Sequence, residues 1–181
     1  GLPKYLILSL MLPKGAQVKI VDGIINGINK KCRLHKIDFV GGNISASKEI
    51  IISMAMLGFA EKECLALRNK AKIGDLIFCS GNVGSSSVGL GLLKRNLKGK
   101  SIKEHLEPKS RLGLARKLVE IGINSMIDVS DGVASEIRYI CDESKVGAFI
   151  YADKIPVSRD SLIDSKKLGR NPLYLALYVG E

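Results

Sequence analysis

The sequence is poor in the residues on which several kinds of protein depend. Aromatic residues make up 5% of the chain, there are two histidines, and the four cysteines include no Cys-x-x-Cys pair. The cysteines lie in apolar periodic segments, so we expect buried free thiols rather than disulfides or a zinc site. No apolar run approaches the roughly 18 residues of a membrane span, and the apolar start lacks a signal-peptide layout. We therefore expect a soluble, cytoplasmic protein without a membrane partner.

The charge of the chain raises nucleic-acid binding as an alternative function. The net charge is +10, from 28 basic and 18 acidic residues. The lysines are spread along the sequence, aromatic residues are few, and no motif for reading DNA or RNA is present. A lysine-rich surface also attracts anionic nucleotides. We therefore expect nucleotide ligands rather than a nucleic-acid partner.

The most informative segment is Met-Ile-Asp-Val-Ser-Asp-Gly at 126–132. An apolar run suited to a buried strand ends there in two carboxylates and a hydroxyl, just before an amphipathic helical pattern. Asp128 and Asp131 can converge on Mg²⁺, which takes one or two carboxylates together with water and phosphate oxygens. Ser130 and Asp131 also precede a helix N-terminus, where phosphate groups bind. The same residue types are common in helix N-caps and turns, which is the structural alternative.

Two further segments combine an apolar run with glycine. At 75–89 a strand-like pattern enters a loop of glycine and serine, whose backbone and hydroxyls could contact phosphate. It has neither the ending of a P-loop nor a GxGxxG order, and flexible turns share its composition. At 39–47 a strand-like segment opens into a Gly-Gly pair, which is also typical of a hairpin or a bulge.

In this order, the three segments resemble the thiamine-monophosphate kinase family. This family belongs to a superfamily with aminoimidazole ribonucleotide synthetase, selenophosphate synthetase and a hydrogenase-maturation dehydratase. The resemblance covers nearly the whole chain, from Gly-Leu-Pro-Lys-Tyr at 1–5 to Gly-Glu at 180–181. His-Leu-Glu-Pro-Lys-Ser-Arg at 105–111 and Ser-Lys-Val-Gly-Ala at 144–148 favour this family over its relatives.

The resemblance implies an α/β (α+β) fold with mixed sheets and a two-domain architecture like that of aminoimidazole ribonucleotide synthetase. Residues 1–72 would be part of an N-terminal ATP-binding and dimerisation domain, incomplete at its N-terminus. Residues 73–181 would be a truncated C-terminal domain. The implied reaction transfers the γ-phosphoryl group of ATP to thiamine monophosphate with Mg²⁺, in a homodimer.

The resemblance also assigns roles to residues. Asp128 and Asp131 match catalytic, metal-binding aspartates, and Glu181 matches a substrate-binding glutamate. The positions that match nucleotide contacts are Gly42, Asn43, Arg68 and Ser130. A guanidinium such as that of Arg68 suits phosphate through its fixed fork of donors.

The chain departs from the family pattern at two places. Asn43 stands where the family has an aspartate on Mg²⁺, so a metal held there should bind more weakly. The upstream aspartate cluster and the downstream pocket segment are not in the sequence, which predicts an internal fragment that is inactive alone. The alternatives are a superfamily member acting on another phosphate or acyl-phosphate, and a degenerate nucleotide-binding protein without turnover.

Hydrophobic periodicity predicts alternating strands and helices. Strands are predicted at 5–12, 38–40, 50–57, 76–79, 126–129 and 148–151. Helices are predicted from residue 18, ending near Lys30 and Lys31, at 88–97, from residue 110 and at 133–142. Asp75 is expected to fix a turn, and His105 is expected to have a surface or hydrogen-bonding role.

Overall fold

The chain divides into two structural units, Gly1–Glu63 and Cys64–Glu181, in a computed structural model that describes residues 1–180. Glu181, the predicted substrate-binding residue, lies outside the described residues. The domain boundary predicted between residues 72 and 73 stays a prediction. Helices and a mixed sheet confirm the predicted fold class.

The first unit is a three-stranded sheet with one helix. Its elements are β1 (Leu2–Leu12), α1 (Val18–His35), β2 (Asp38–Ala46) and β3 (Ile51–Phe59). The strand order is β2-β1-β3, with β2 parallel and β3 antiparallel to β1. Parallel neighbours need a long crossover connection, and α1 supplies it between β1 and β2. The predicted strands and helix of this region are confirmed, although each element is longer than predicted.

The core of the first unit follows from the alternation of side chains along its central strand. Leu6, Leu8 and Leu10 point to one face of β1 and are buried, together with Cys32 of α1. Successive residues of a strand point to opposite faces, so the residues between these leucines lie on the other face. The sequence pattern thereby identifies the face of β1 that is packed.

The Gly-Gly pair does not open into a turn, because β2 continues through it to Ala46. The register between β1 and β2 shifts at Leu6 and Ile7, where Phe39 and Gly41 are consecutive partners and Val40 is left out of the ladder. Gly41 adopts a φ of 133° there. Of the two structural alternatives, the bulge is therefore confirmed.

Within the described residues, the second unit contains six α-helices. They are α2 (Ser85–Lys94), α3 (Ser101–Leu106), α4 (Leu112–Glu120), α5 (Val133–Ser144), α6 (Arg159–Leu168) and α7 (Pro172–Tyr178). Short 3₁₀ helices form at Lys62–Cys64, Arg68–Lys70 and Ala152–Lys154. Helix α2 contacts α3, α6 and α7. The core cluster is formed by α2, α6 and α7 and consists of Val88, Leu92, Leu168 and Leu175.

Three predicted strands of the second unit are wrong. Residues 76–79, 126–129 and 148–151 have no strand assignment. Leu76, Phe78 and Phe149 are 79%, 83% and 92% exposed. A strand needs a neighbouring strand to satisfy its backbone groups, and the described part of this unit contains no strand.

The helix predictions for the second unit are partly correct. The helix predicted at 88–97 forms earlier, as α2, and those predicted from residues 110 and 133 form as α4 and α5. Helices α3, α6 and α7 were not predicted. Asp75 fixes its turn as expected, because its carboxylate accepts the N–H of Lys72 at 2.8 Å.

The cysteine prediction holds in part. All four cysteines are free thiols, but only Cys32 is buried, whereas Cys64 and Cys79 are exposed and Cys141 is half-buried. Exposed Cys79 belongs to one of the segments wrongly predicted as a strand. None of the described helices combines the length and apolar character required to cross a membrane.

Candidate functional site

The loop at residues 128–132 directly precedes α5, and its backbone is held by a buried carboxylate. Oε1 of Glu136 accepts the N–H of Ser130 at 3.1 Å and the N–H of Asp131 at 2.9 Å. Glu136 lies in the first turn of α5 and is 4% exposed. One side chain therefore fixes two successive peptide groups of the loop.

The polar side chains of this loop are directed to solvent rather than to the helix. Asp128, Ser130 and Asp131 are exposed. The Ser130 hydroxyl donates to Oδ2 of Asp128 at 3.0 Å. Gly132 is the N-cap of α5, and no side chain caps the helix. The N-cap alternative is therefore wrong for Ser130 and Asp131, and their side chains remain available to a ligand.

In the loop of glycine and serine, several hydroxyls that the sequence offered as phosphate contacts form hydrogen bonds within the protein instead. Its three successive serines form the first turn of α2. Ser85 shares a buried hydrogen bond with the hydroxyl of Ser161 at 2.8 Å, and Ser86 shares one with Nδ1 of His105 at 2.9 Å. Ser87 donates to the carbonyl oxygens of Val179 and Gly180. These hydroxyls stabilise the fold, so Ser80 and Asn82 are the exposed polar side chains of the loop.

The motif at 105–111 packs against this same loop. His105 forms a hydrogen bond with Ser86, which confirms the hydrogen-bonding role predicted for His105. At the other end of the motif, the guanidinium of Arg111 lies against Gly81, where an added Cβ would be 2.6 Å from its Nη2. A cation thus stands beside a glycine at the exposed end of the loop. Sequence reasoning did not select Arg111, although its place in the motif was a signal.

The end of α7 and the residues that follow it link the two loops within the second unit. Gly180 accepts the hydroxyl hydrogen bond of Ser87, and its α-carbon lies against the carbonyl oxygen of Ser130. Gly132 lies close to Leu177, whose carbonyl oxygen would be 2.6 Å from a Cβ added to the glycine. The structure therefore brings together the loop at 128–132, the start of α2 and the segment at 177–180.

Arg68 is held within the second unit through its backbone. Its carbonyl oxygen accepts hydrogen bonds from the hydroxyls of Ser144, at 2.6 Å, and Ser125, at 3.5 Å. Ser144 is the last residue of α5, whereas the loop at 128–132 precedes its first residue. Twelve helical residues span about 18 Å. The exposed Arg68 side chain is thus anchored near the opposite end of α5 from that loop.

Gly42 and Asn43 belong to the first unit and lie on β2. An added Cβ at Gly42 would collide with the carbonyl oxygen of Leu8 on the neighbouring strand, so close strand packing alone accounts for this glycine. Asn43 is exposed and pairs with Ser9 in the register of β1 and β2. It lines an open cavity of about 310 Å³ on the sheet, together with Ile7, Leu8, Ser9, Gly42, Ser53 and Ala55. Two hydroxyls and one amide supply polar groups to this otherwise apolar cavity.

The donor chemistry of the loop at 128–132 fits a magnesium ion that is shared with phosphate. In the described part of the chain, no three His, Cys, Asp or Glu side chains form a metal-binding group. Asp128, Ser130 and Asp131 offer oxygen atoms for part of an octahedral shell. Mg²⁺ is usually bound in this way, with one or two carboxylates and with water and substrate phosphates at the other positions. The loop therefore suits Mg²⁺ with a nucleotide better than a metal site made of protein ligands alone.

Comparison with known protein families gives matches to both halves of the chain. Residues 1–60 match the model of the AIR synthase related protein, N-terminal domain. Residues 72–174 match that of the AIR synthase related protein, C-terminal domain. The second match includes the loop at 128–132 and the motif at 105–111.

Individual relatives carry the name thiamine-monophosphate kinase. The protein from Aquifex aeolicus is 34% identical over 187 residues, and the match covers 100% of this chain and 60% of that protein. The Bacillus subtilis protein is 30% identical, with 100% of this chain and 57% of that protein covered. The chain thus spans less than two thirds of the length of these relatives.

Solved structures agree with this comparison. The crystal structure of thiamine monophosphate kinase from Aquifex aeolicus superposes with a TM-score of 0.93 at 33% identity, covering 100% of this chain and 62% of that one. AaThiL complexed with AMPPCP and TMP gives a TM-score of 0.86 at 31% identity, covering 100% and 60%. A hydrogenase maturation protein, HypE, gives 0.83 at 20% identity, with coverage of 97% and 57%, and shares the fold.

Proposed function

The chain belongs to the family of AIR synthase related proteins, and from this we propose that it is part of a Mg²⁺-dependent kinase that phosphorylates thiamine monophosphate with ATP. One observation carries the proposal. The loop at 128–132 exposes two carboxylates and a hydroxyl, none of which caps α5, while Glu136 holds the loop backbone. Phosphoryl transfer depends mainly on positioning and on stabilising negative charge, and a fixed loop of oxygen ligands serves both needs.

The proposed roles follow from the chemistry of each side chain. Asp128 and Asp131 hold Mg²⁺, which neutralises charge on the phosphate oxygens when it is bound. Ser130 orients Asp128 through its hydrogen bond and contacts the nucleotide. The further nucleotide contacts that we propose are Gly42, Asn43 and Arg68, with Asn43 also a metal ligand. Glu181 is the proposed contact to thiamine monophosphate.

The assembly, location and domain roles are also part of the proposal. We propose a cytoplasmic homodimer, with residues 1–72 in the ATP-binding and dimerisation domain and residues 73–181 in the C-terminal domain. Support for dimerisation comes from the face of the sheet opposite to Leu6, Leu8 and Leu10, where the apolar side chains of Ile7, Ile51 and Leu57 are exposed. Large exposed apolar surfaces are typical of protein interaction sites.

A second candidate function rests on Asn43. This exposed amide stands where the family resemblance predicts an aspartate on Mg²⁺. An amide keeps one oxygen ligand but removes a negative charge, which weakens the binding of a hard cation. The second candidate is therefore a protein that binds ATP and either phosphorylates another acceptor or has no turnover.

The test is ATP-dependent conversion of thiamine monophosphate to thiamine diphosphate, measured for the protein as encoded by its gene and for the 181-residue chain. Each is assayed with Mg²⁺ and after metal removal with EDTA. Formation of the diphosphate that stops with EDTA and returns with Mg²⁺ supports the kinase. ATP binding without product from either protein contradicts the proposal and favours the second candidate. In that case Asn43→Asp is the first variant to assay, because it restores the predicted ligand charge.

A further inference from the structure

The geometry points to Glu136 as a positioning residue: we propose that its carboxylate sets the affinity of the loop at 128–131 for the Mg²⁺–nucleotide complex without touching either ligand. This inference rests on the proposed function of the loop. Glu136 carries no role in the resemblance to the family.

The first argument is the geometry of the carboxylate. A single oxygen, Oε1, accepts the N–H groups of two successive residues, Ser130 and Asp131. Both residues carry side chains of the candidate site, and Ser130 in turn donates to Asp128. Moving Oε1 would therefore displace the backbone of Ser130 and Asp131 and, through the Ser130 hydroxyl, the hydrogen bond to the Asp128 carboxylate.

The second argument is burial. Glu136 is 4% exposed. Burying a carboxylate destabilises the folded protein unless hydrogen bonds compensate for the lost hydration. Gly132, the N-cap residue of α5, has no side chain to accept a hydrogen bond, and the Glu136 carboxylate accepts from two N–H groups of the preceding loop. The compensation comes from the loop, so the loop and Glu136 hold each other in place.

The third argument is that the loop is confined from the opposite direction as well. Gly132 lies against the carbonyl of Leu177, and Gly180 lies against the carbonyl of Ser130. The end of α7 and the residues after it therefore restrict movement of the loop, while Glu136 accepts hydrogen bonds from its N–H groups. Residues that orient metal ligands in this indirect way typically change metal affinity by about 10- to 100-fold when they are removed.

The experiment compares Glu136→Ala, Glu136→Gln and Glu143→Ala with the wild type, in the protein as encoded by its gene. Gln keeps an oxygen acceptor of the same length for both N–H groups, and Ala removes it. Glu143 is an exposed residue in the last turn of the same helix, so its replacement is the matched control. Circular dichroism and thermal melting establish which variants are folded at the assay temperature.

Two measurements are made that need no turnover. Hydrogen exchange of the Ser130 and Asp131 amides reports on the loop, and a Mn²⁺ titration in the presence of ATP, followed by electron paramagnetic resonance, reports on the metal. Glu136→Ala should accelerate hydrogen exchange of both amides by about tenfold or more. It should raise the half-saturating Mn²⁺ concentration about 10- to 100-fold. Glu136→Gln and Glu143→Ala should stay close to the wild type in both.

The outcomes separate this inference from the proposed function. If folded Glu136→Ala shows unchanged amide exchange or unchanged Mn²⁺ half-saturation, or if the wild type binds no Mn²⁺ with ATP, the inference is overturned. A lower melting temperature with unchanged half-saturation would show a purely structural role and would overturn it too. If the wild type forms no thiamine diphosphate but Glu136→Ala weakens Mn²⁺ binding, the kinase proposal fails and the positioning role stands.

Discussion

Gly132 and Leu177 meet so closely that a Cβ added to Gly132 would lie 2.6 Å from the carbonyl oxygen of Leu177. Gly132 also has φ 103° and ψ 149°, a conformation that is essentially restricted to glycine. The residue joins the loop at 128–131 to α5. Its position therefore depends on two independent features that only glycine satisfies.

We expect Gly132→Ala to be destabilising and to reduce nucleotide binding. The backbone conformation alone costs about 1–3 kcal/mol for a residue with a side chain, and the contact with Leu177 adds to it. The free energy of unfolding in urea measures the effect. Gly113→Ala is the control, because it lies in α4 with nothing within 4 Å of an added Cβ. Alanine is favoured over glycine in helices, so equal effects of the two substitutions would contradict this account.

We expect Asp131→Asn to lower Mg²⁺-dependent turnover by at least about a hundredfold while the protein remains folded. The substitution removes a negative charge at the proposed metal site without changing volume. Initial rates over a range of Mg²⁺ concentrations measure the loss. Asp142→Asn, at an exposed position late in α5, is the matched control. Turnover like that of the wild type would remove Asp131 from the site.

Asp164 gives a prediction about pH. This buried carboxylate of α6 accepts the N–H of Ser101 at 3.0 Å and a hydrogen bond from Nζ of Lys167 at 2.6 Å. Burial raises the pKa of Asp164, but the hydrogen bonds from Lys167 and Ser101 outweigh burial and hold the pKa below its usual value. The folded state therefore binds a proton less readily than the unfolded state. The contribution of the ionised Asp164 carboxylate to stability is complete above the ordinary aspartate pKa of about 3.9. That contribution is lost as the pH falls through the lowered pKa of the folded state.

Asp164→Asn should accordingly be less stable than the wild type at pH 7. The difference in the free energy of unfolding should shrink as the pH falls below about 4, because the wild type then loses the same charge. Urea unfolding at several pH values between 3 and 7 measures this difference. Asp153→Asn, at an exposed position, should show little change at any of them. A difference for Asp164→Asn that does not vary with pH would contradict the assignment.

Asn171 caps α7, the helix that leads to the segment at 177–180. Its side-chain oxygen accepts the N–H groups of Leu173 at 2.8 Å and Tyr174 at 3.3 Å. Asn171→Ala should lower the free energy of unfolding by about 1 kcal/mol, whereas Asn171→Asp, which can still cap the helix, should be nearly neutral. Urea unfolding distinguishes them. An alanine variant as stable as the wild type would show that the cap contributes nothing.

Much of the first unit could be predicted from the sequence, because its strands and helix show clear hydrophobic periodicity and its strands pair with one another. Strand β1 alternates Leu6, Leu8 and Leu10 with outward-facing residues, and α1 shows a helical period. The predicted strands of the second unit failed for the opposite reason. Leu76, Phe78 and Phe149 have the apolar character of strand residues, but an apolar run does not reveal whether a partner strand is available.

The missed helices did carry signals. Ser158 caps α6 and Gly169 ends it, while Asn171 and Pro172 begin α7. These are common start and stop residues, but α6 has few apolar residues and α7 is only seven residues long. Periodicity is weak in such elements. Reading the caps first would have located both helices.

In the candidate site, residues close together in sequence could be predicted, whereas contacts between distant residues could not. The loop at 128–132 could be selected because its ligands are close in sequence. Glu136 could not, because a glutamate in the first turn of a helix is common and its bonds to Ser130 and Asp131 depend on how the loop folds back. Arg111 was missed because Gly81 lies far from it in sequence.

Strand β3 has a consequence for how the chain behaves while it is being made. Its sequence, Ile-Ile-Ser-Met-Ala-Met-Leu-Gly-Phe, contains no charge and no proline, all nine residues are exposed, and among residues 1–180 it is an outer strand of the sheet. Uncharged apolar strands at a sheet edge are templates for pairing with the same strand of another molecule. Correct folding therefore competes with aggregation on the ribosome and shortly after release, and the yield of folded protein should fall steeply as the rate of synthesis rises.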